Sequence, residues 1–288
     1  MATLKEIKNR INGIKSTQKI TKAMKMVSAA KLKKAQDRII ATRPYANKMN
    51  EMLSHLAAVA GESFSPLMED RPVNNKLVVI ISADRGMCGS FNSNLIKFAS
   101  NYIEKIGKES KILLIGKKAN DFFGKRGYNI IDKHIHIFST LNISFSKSVV
   151  DYIVKGFIAK EYDTVELIYN EFKSVVKQNI VQEQFLPIAK PEPTASDLLK
   201  NTDYIFEPSA KEILEELIPK QLNVQFWKAL SESYAAELGA RMTAMELATK
   251  NANDLIKSLD LIYNKARQES ITKELLEIVS GAEALKEG

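Results

Sequence analysis

The stretch QKITKAMKMVSAAKLKKAQ, residues 18–36, holds six lysines and no acidic residue. Its apolar residues Ile20, Met24 and Val27 are separated by four and three positions, the spacing of side chains on one face of an α-helix. The stretch therefore predicts a helix with a basic surface and a narrow apolar seam. We expect Ile20, Met24 and Val27 to pack against a partner helix along that seam.

Apolar spacing of the same kind continues on both sides and predicts an N-terminal coiled-coil helix over residues 1–57. Pro44 cannot donate a backbone hydrogen bond, so a bend or an end is expected near it. Before the stretch the apolar positions are Leu4, Ile7, Ile11 and Ile14, and after a phase slip they are Leu32, Ala35, Ile39, Thr42, Ala46, Met49, Leu53 and Leu56.

The C-terminal part of the chain predicts a second coiled-coil helix over residues 208–285, with a kink at Pro219. At a rise of ~1.5 Å per residue, the ~65 residues beyond Pro219 span about 100 Å. We expect this helix to pair antiparallel with the N-terminal helix and to extend past it. Its predicted seam comprises Trp227, Leu230, Tyr234, Arg241, Met245, Ala248, Ala252, Leu255, Leu259, Ile262 and Ala266.

Between the two helices, residues 76–190 change from helical spacing to short β-branched runs such as KLVVIIS and KILLIG. These runs alternate with helical segments, which predicts an α/β domain with a mainly parallel, Rossmann-like sheet. The predicted strands are residues 76–82, 111–116, 128–131, 163–169 and 179–188. The predicted helices are residues 92–106, a segment through Phe122, and residues 146–159.

Charge is distributed unevenly along the chain. Residues 1–50 contain thirteen Lys or Arg and two acidic residues, a formal charge of +11, whereas the remaining residues sum to −3. Such a one-sided field indicates an anionic partner: a nucleic acid, a lipid surface or acidic protein loops. A basic coiled-coil nucleic-acid-binding protein is one alternative, although the helix lacks the interleaved aromatic residues typical of that class.

Residues that could carry chemistry are sparse. The loop SADRGMCGSFN, residues 82–92, joins a strand to a helix, but its glycines match neither nucleotide-binding motif; a nucleotide-dependent enzyme remains the third alternative. His134 and His136 are too few for a metal site, and the single cysteine, Cys88, excludes an internal disulfide. No apolar run approaches the ~20 residues that cross a bilayer. We therefore predict no catalytic, cofactor-binding or metal-ligating residues.

Four segments together resemble one family, the gamma subunits that form the central rotor shaft of F-type ATP synthases. The most specific is LIYNKARQESITKELLEIVSGAEAL, residues 261–285, and the loop at residues 82–92 fits as well. The other two are IKNRINGIKSTQKITKAMKMVSAAKLKKA, residues 7–35, and ARMTAMELATKNA, residues 240–252. No organelle transit segment precedes the match, so a bacterial-type chain at the cytoplasmic face of the plasma membrane is expected.

The resemblance implies an asymmetric coiled coil inside a ring of alternating alpha and beta subunits, with the α/β domain outside the ring beside epsilon and the membrane c-ring. It implies a non-catalytic subunit without a cofactor, associated with the membrane only through the complex. By position in the family motifs, Tyr204 and Glu207 are expected to contact the c-ring. Contacts with beta subunits are expected from Arg267, Gln268, Lys19, Lys22 and Lys25.

Overall fold

The computed structural model describes residues 3–60, 65–69, 71–188, 207 and 209–284. Its α-helices are α1 (Leu4–Ala60), α2 (Phe91–Ile106), α3 (Lys117–Phe123), α4 (Ile143–Ile158) and α5 (Ala210–Ala284), and single 3-10 turns cover Pro66–Met68 and Ile137–Ser139. Its strands are β1 (Lys76–Ile81), β2 (Lys111–Ile115), β3 (Ile130–His134), β4 (Thr164–Phe172) and β5 (Gln178–Leu186). This order confirms the predicted fold class.

Two compact units make up the chain, and helices α1 and α5 contribute residues to both. The stem unit comprises Met1–Val27 and Met242–Gly288. The sheet unit comprises Ser28–Arg241. The predicted domains at residues 1–57, 76–190 and 208–285 follow the helices and strands rather than this division, and they remain a prediction.

Both long helices begin at a residue pair that sequence can identify. At the start of α1 the backbone N–H of Thr3 donates to the Glu6 carboxylate at 2.8 Å, while the Thr3 hydroxyl accepts from the backbone N–H of Glu6 at 3.3 Å. Ser209 accepts in the same way from the N–H of Glu212 at the start of α5. The exchange at α1 is a capping box, and at both helix starts the hydroxyl accepts from an amide that a helix start leaves without a partner. A bend or an end was expected near Pro44; α1 continues through Pro44 to Ala60, so it does not end there.

The sheet unit is built on five strands in the order β3-β2-β1-β4-β5, of which only β5 is antiparallel to its neighbour. β1 is central, with Val79 opposite Leu113 on one side and Leu167 on the other. Five of the six residues of β1 are buried, which explains its continuous apolar sequence LVVII. Each such side chain contributes about 1.5 to 3 kcal/mol when buried.

Helices cover both faces of the sheet. One face packs against α2 and α3 through residues such as Leu95, Ile103 and Phe123. The other face packs against α4 and against the sheet-unit part of α5, with Phe157 and Phe226 among the contacts. Farther along the same two long helices, Leu32 and Ala35 of α1 pack against Ala235 and Leu238 of α5. The sheet unit is therefore a layered α/β domain to which both long helices belong.

The stem unit is a pair of antiparallel helices. Ile7 and Ile11 of α1 form a buried cluster with Ile256 and Leu259 of α5. Residue numbers rise along α1 as those of the α5 partners fall, which fixes the antiparallel direction. None of the helices in the described part of the chain includes a segment apolar and long enough to span a membrane.

Candidate functional site

The face of α1 that is buried in the stem unit lies one position away from the predicted seam. Ile20 and Val27 are 60% and 55% exposed, whereas Thr21 is buried and hydrogen-bonded to α5. Met24 is half-buried. The prediction that Ile20 and Val27 contact the partner helix is therefore wrong.

The error arises because the row of α1 residues that faces α5, the inward stripe, keeps its helical spacing throughout but is polar in its middle. The inward positions between Ile14 and Leu32 are polar, so a pattern that counts only apolar residues is interrupted there. The prediction therefore assumed a phase slip, which the structure does not contain. Steps of three and four without interruption connect Ile7, Ile11, Ile14, Gln18, Thr21, Lys25, Ser28, Leu32 and Ala35, all of them buried or half-buried.

Three polar contacts join α1 and α5 where the stripe is polar. The hydroxyl oxygens of Thr21 and Thr249 lie 2.7 Å apart. On one side Lys25 pairs with Glu246 at 2.7 Å, and on the other the amide of Gln18 donates to Asn253 at 3.5 Å. Polar residues in a coiled-coil seam specify the register of the helices at some cost in stability. The three contacts share one register, because the partners of residues 18, 21 and 25 are residues 253, 249 and 246.

The seam of α5 also lies partly one position away from the prediction. Leu259 is 7% exposed and lies in the buried cluster with Ile256. Leu255 and Ile262 are 43% and 50% exposed, so the prediction that they face α1 is wrong. The inward positions that replace them are Ile256 and Tyr263, the residues that follow each of them in sequence.

Beyond Ala266 helix α5 has no partner among the described residues of the stem unit. Ile11 and Leu259 lie in one cluster, and Ala266 follows Leu259 by seven residues just as Leu4 precedes Ile11 by seven. In an antiparallel pair Ala266 therefore lies beside Leu4, where α1 begins. Nearly every residue from 267 to 282 is exposed, including Arg267 and Gln268. Five large apolar side chains on this segment are 48% to 67% exposed: Ile271, Leu275, Leu276, Ile278 and Val279. The predicted extension of the C-terminal helix past the N-terminal helix is thus present.

The outward face of α1 in the stem unit mixes positive charge with apolar surface. Lys19 and Lys22 are exposed, whereas Lys25 is half-buried in its ion pair with Glu246. Ile20 and Val27 lie exposed beside these lysines. The stem unit therefore has a polar layer inside and exposed apolar side chains outside over this length, the reverse of an ordinary coiled coil.

In the sheet unit, helix α5 closes the loop at residues 82–92 that follows β1. Arg241 donates to the backbone carbonyl of Gly86 at 2.6 Å and forms a short ion pair with Glu237, and both side chains are largely buried. Burial raises the pKa of the Glu237 carboxyl, and the Arg241 guanidinium opposes that effect. Ala236 packs against Ala83 and Cys88, and burial raises the pKa of the Cys88 thiol. The loop at residues 82–92 therefore packs against α5 and is held there by these contacts.

The remaining candidate residues are the two histidines at positions 134 and 136 and the predicted c-ring contacts. His134 lies 3.1 Å from Asp132, and within the described residues no cluster of three or more His, Cys, Asp or Glu side chains could hold a metal ion. Glu207 is exposed, and Tyr204 lies outside the described residues. Sequence reasoning missed the polar layer at Thr21 and Thr249, which an uninterrupted heptad pattern could have indicated.

Comparisons with known proteins agree with this architecture. A family profile described as ATP synthase matches residues 3–285. A protein named "ATP synthase gamma chain" from Chloroherpeton thalassium is 47% identical over 100% of this chain and 99% of its own length. A protein of the same name from Flavobacterium psychrophilum is 50% identical over 99% of this chain and 100% of its own length.

Solved structures give the same fold. The central stalk and c-ring structure of Tetrahymena thermophila mitochondrial ATP synthase contains a chain 25% identical to this one, with a TM-score of 0.63 over 80% of this chain and 99% of that chain. A chain of the Euglena gracilis enzyme, in a structure of OSCP, F1 and c-ring, is 21% identical, with a TM-score of 0.69 over 98% of this chain and 94% of that chain. Nucleic-acid binding finds no support among these proteins. The chain belongs to the family of ATP synthase gamma chains.

Proposed function

We propose that this chain is the central rotor shaft of an F-type ATP synthase, coupling ion flow through the membrane sector to ATP synthesis and hydrolysis on beta subunits. The observation that carries the proposal is the segment of α5 beyond Ala266, with five large apolar side chains exposed and no partner helix among the described residues. An exposed apolar surface of this kind marks an interaction site. A collar of surrounding subunits would cover it while leaving it free to turn.

The proposed partners are the alpha and beta subunits around the stem unit, with epsilon and the c-ring at the sheet unit. The similar solved structures support this, since one is a central stalk with c-ring and the other is an assembly of OSCP, F1 and c-ring. Tyr204 and Glu207 are the proposed c-ring contacts. We propose that the chain lies at the cytoplasmic face of a bacterial plasma membrane, bound only through the complex; its similarity to the proteins of Chloroherpeton thalassium and Flavobacterium psychrophilum supports this.

For contact with beta subunits we propose two regions of the stem unit. Arg267 and Gln268 are exposed on α5 immediately before the apolar segment. Arg267 can grip a carboxylate with two parallel hydrogen bonds, and Gln268 both donates and accepts, so together they can hold a loop at one rotational angle. The basic face at Lys19, Lys22 and Lys25 attracts acidic loops at longer range without requiring one geometry. Lys25 contributes less to this attraction than Lys19 and Lys22, because the Glu246 carboxylate pairs with it at 2.7 Å.

Co-expression with alpha and beta subunits tests the proposal. We expect this chain to co-purify with them and ATPase activity to depend on its presence. Failure to co-purify under conditions where alpha and beta assemble would refute the proposal, and so would an unchanged ATPase activity without the chain.

The contact at Arg267 and Gln268 has its own test, replacement of both by alanine. We expect slower coupled ATP turnover with normal assembly, because the charge-assisted bonds of such a latch are worth about 1.5 to 3 kcal/mol. The matched control replaces Lys257 and Ser258, an exposed pair ten residues earlier on the same helix. Wild-type synthesis and hydrolysis rates in the Arg267/Gln268 variant would exclude the latch.

A further inference from the structure

The carboxyl edge of the sheet is the place where a fold of this type ordinarily binds a ligand. In open parallel sheets that place lies where the strand order reverses direction. Here the chain passes from β1 to β2 and β3 on one side and then returns to β4 on the other side of β1. The reversal point is therefore the end of β1, and the segment that leaves it is Ser82–Asp84.

Asp84 occupies this edge with its own carboxylate. Its Oδ1 atom accepts hydrogen bonds from the backbone N–H groups of His136 at 2.8 Å and Lys117 at 3.0 Å. Its Oδ2 atom accepts from the backbone N–H of Phe138 at 3.3 Å. These amides come from two different connections, the one after β2 and the one after β3. Several backbone N–H groups that converge from separate loops form an arrangement that binds anions.

The two residues before Asp84 close the remaining space at this edge. The buried Ser82 hydroxyl accepts from the N–H of Ala119 at 2.9 Å, and the Ala83 carbonyl accepts from the N–H of Lys118 at 3.1 Å. Gly116 approaches so closely that a Cβ there would overlap the backbone of Ser82, and its φ of +92° also favours glycine.

Helix α5 closes the opposite side of the same edge. The Ser233 hydroxyl of α5 donates to the carbonyl of Ile81, the last residue of β1, at 3.3 Å. Ala236 of α5 packs against Ala83. The position at which a nucleotide phosphate would bind in such a fold is therefore filled by groups of this chain.

We propose that Asp84 is an internal anionic ligand, which fills an oxyanion site at the carboxyl edge of the sheet and ties the connections after β1, β2 and β3 together. The carboxylate excludes nucleotides and small oxyanions from this site. Removal of the carboxylate leaves the three amides without their acceptor and opens a site that a small oxyanion can enter, with formate as the nearest equivalent of the lost group.

Thermal unfolding of the full chain tests this proposal without any partner subunit, so its outcome is independent of the proposed function. We expect Asp84→Ala to lower Tm by about 2 to 4 °C. Formate at about 0.1 M should restore at least half of that loss, because a ligand that binds only the folded state raises Tm. Inorganic phosphate is the second probe, and chloride at equal ionic strength is the salt control.

Two further variants make the result specific. Asp121→Ala removes an exposed carboxylate that pairs with Lys118 at 3.8 Å, and neither its Tm nor that of the wild type should respond to formate beyond the chloride effect. Asp84→Asn fills the site with an amide, so it should lower Tm less than Asp84→Ala and should not respond to formate.

An unchanged Tm in Asp84→Ala would overturn the proposal. A lower Tm that formate restores no better than chloride would also overturn it, because the loss would then have a cause other than an empty oxyanion site. If Asp84→Ala does not accumulate in folded form, its refolding yield should rise with formate and not with chloride. Equal yields in the two salts would count against an internal ligand in the same way.

Discussion

Replacing Leu259 with alanine tests the helix pairing of the stem unit, and Leu255 provides a matched control on the same helix. Both positions were predicted to face α1, yet Leu259 is 7% exposed in a cluster with Ile7 and Ile11, while Leu255 is 43% exposed. The two substitutions delete the same atoms. Any difference between them therefore reports the orientation of α5.

The expected magnitudes follow from these environments. Truncating a buried leucine costs about 2 to 5 kcal/mol, and a two-helix seam that is open on its flanks belongs at the lower end, about 2 kcal/mol. Truncating the exposed Leu255 should cost about 0.5 kcal/mol. The difference of about 1.5 kcal/mol corresponds to roughly a tenfold change in an opening equilibrium. Leu259→Asp should cost several kcal/mol more, because it buries a charge without a partner.

Hydrogen exchange is the appropriate assay, because the stem unit can open locally without global unfolding. Amides of α5 between residues 249 and 266 should exchange about tenfold faster in Leu259→Ala than in Leu255→Ala. Amides of β1 should be unaffected in both variants. Equal acceleration in the two variants would refute the orientation of α5. Greater acceleration in Leu255→Ala would indicate that Leu255 faces α1, as the sequence predicted.

Three further experiments test the environments of Arg241, Cys88 and Asp163. Arg241→Met should lower the free energy of unfolding by about 3 to 5 kcal/mol, because it leaves the Glu237 carboxylate buried without its cation, and urea titration would contradict this with a loss under about 1 kcal/mol. The raised pKa of the buried Cys88 thiol predicts alkylation by iodoacetamide at pH 8 at least about tenfold slower than that of free cysteine, with the difference abolished in urea. Backbone N–H groups of Asn75 and Asn74 lower the pKa of Asp163 in the folded chain. The difference in free energy of unfolding between wild type and Asp163→Asn should therefore be largest above the unfolded pKa, near 3.9, and should shrink as pH falls through the lower folded pKa. A difference that is constant between pH 7 and pH 2 would contradict this.

The sheet was predictable because a strand that is buried on both faces has a continuous run of apolar residues in its sequence. LVVII in β1 and ILLI in β2 are continuous apolar runs, and glycine and polar residues mark their ends. The edge strand β3 lacks such a run and was predicted at residues 128–131, whereas it lies at Ile130–His134. Its half-buried side chains carry a weaker pattern.

The register of the coiled coil was harder to predict because the rule used for it counts only apolar residues. Between Ile14 and Leu32 the inward positions of α1 are polar, and the apolar residues Ile20 and Val27 point outward. In a helix that other subunits surround, the outward face is also an interface, so apolarity does not identify the inward side. The heptad spacing itself, followed through Thr21, was the reliable signal.

Asp84 lies beyond sequence-based prediction for a different reason. A single aspartate in a loop is ordinarily a turn former, and nothing in its neighbours indicates that its carboxylate accepts from amides more than thirty positions away, as it does from Lys117 and His136. Only the strand order that brings the ends of β1, β2 and β3 side by side shows the contact.

Rotation of this chain within an assembled complex is the most direct test of the proposed rotor function. A cysteine at Lys108, an exposed residue in the turn after α2, provides an attachment point for a visible probe; the native Cys88 is buried. With alpha and beta subunits fixed to a surface, ATP should drive the probe through stepwise rotation in one direction, and the rotation should stop when ATP is removed. ATP hydrolysis at the full rate with a stationary probe would contradict the rotor function.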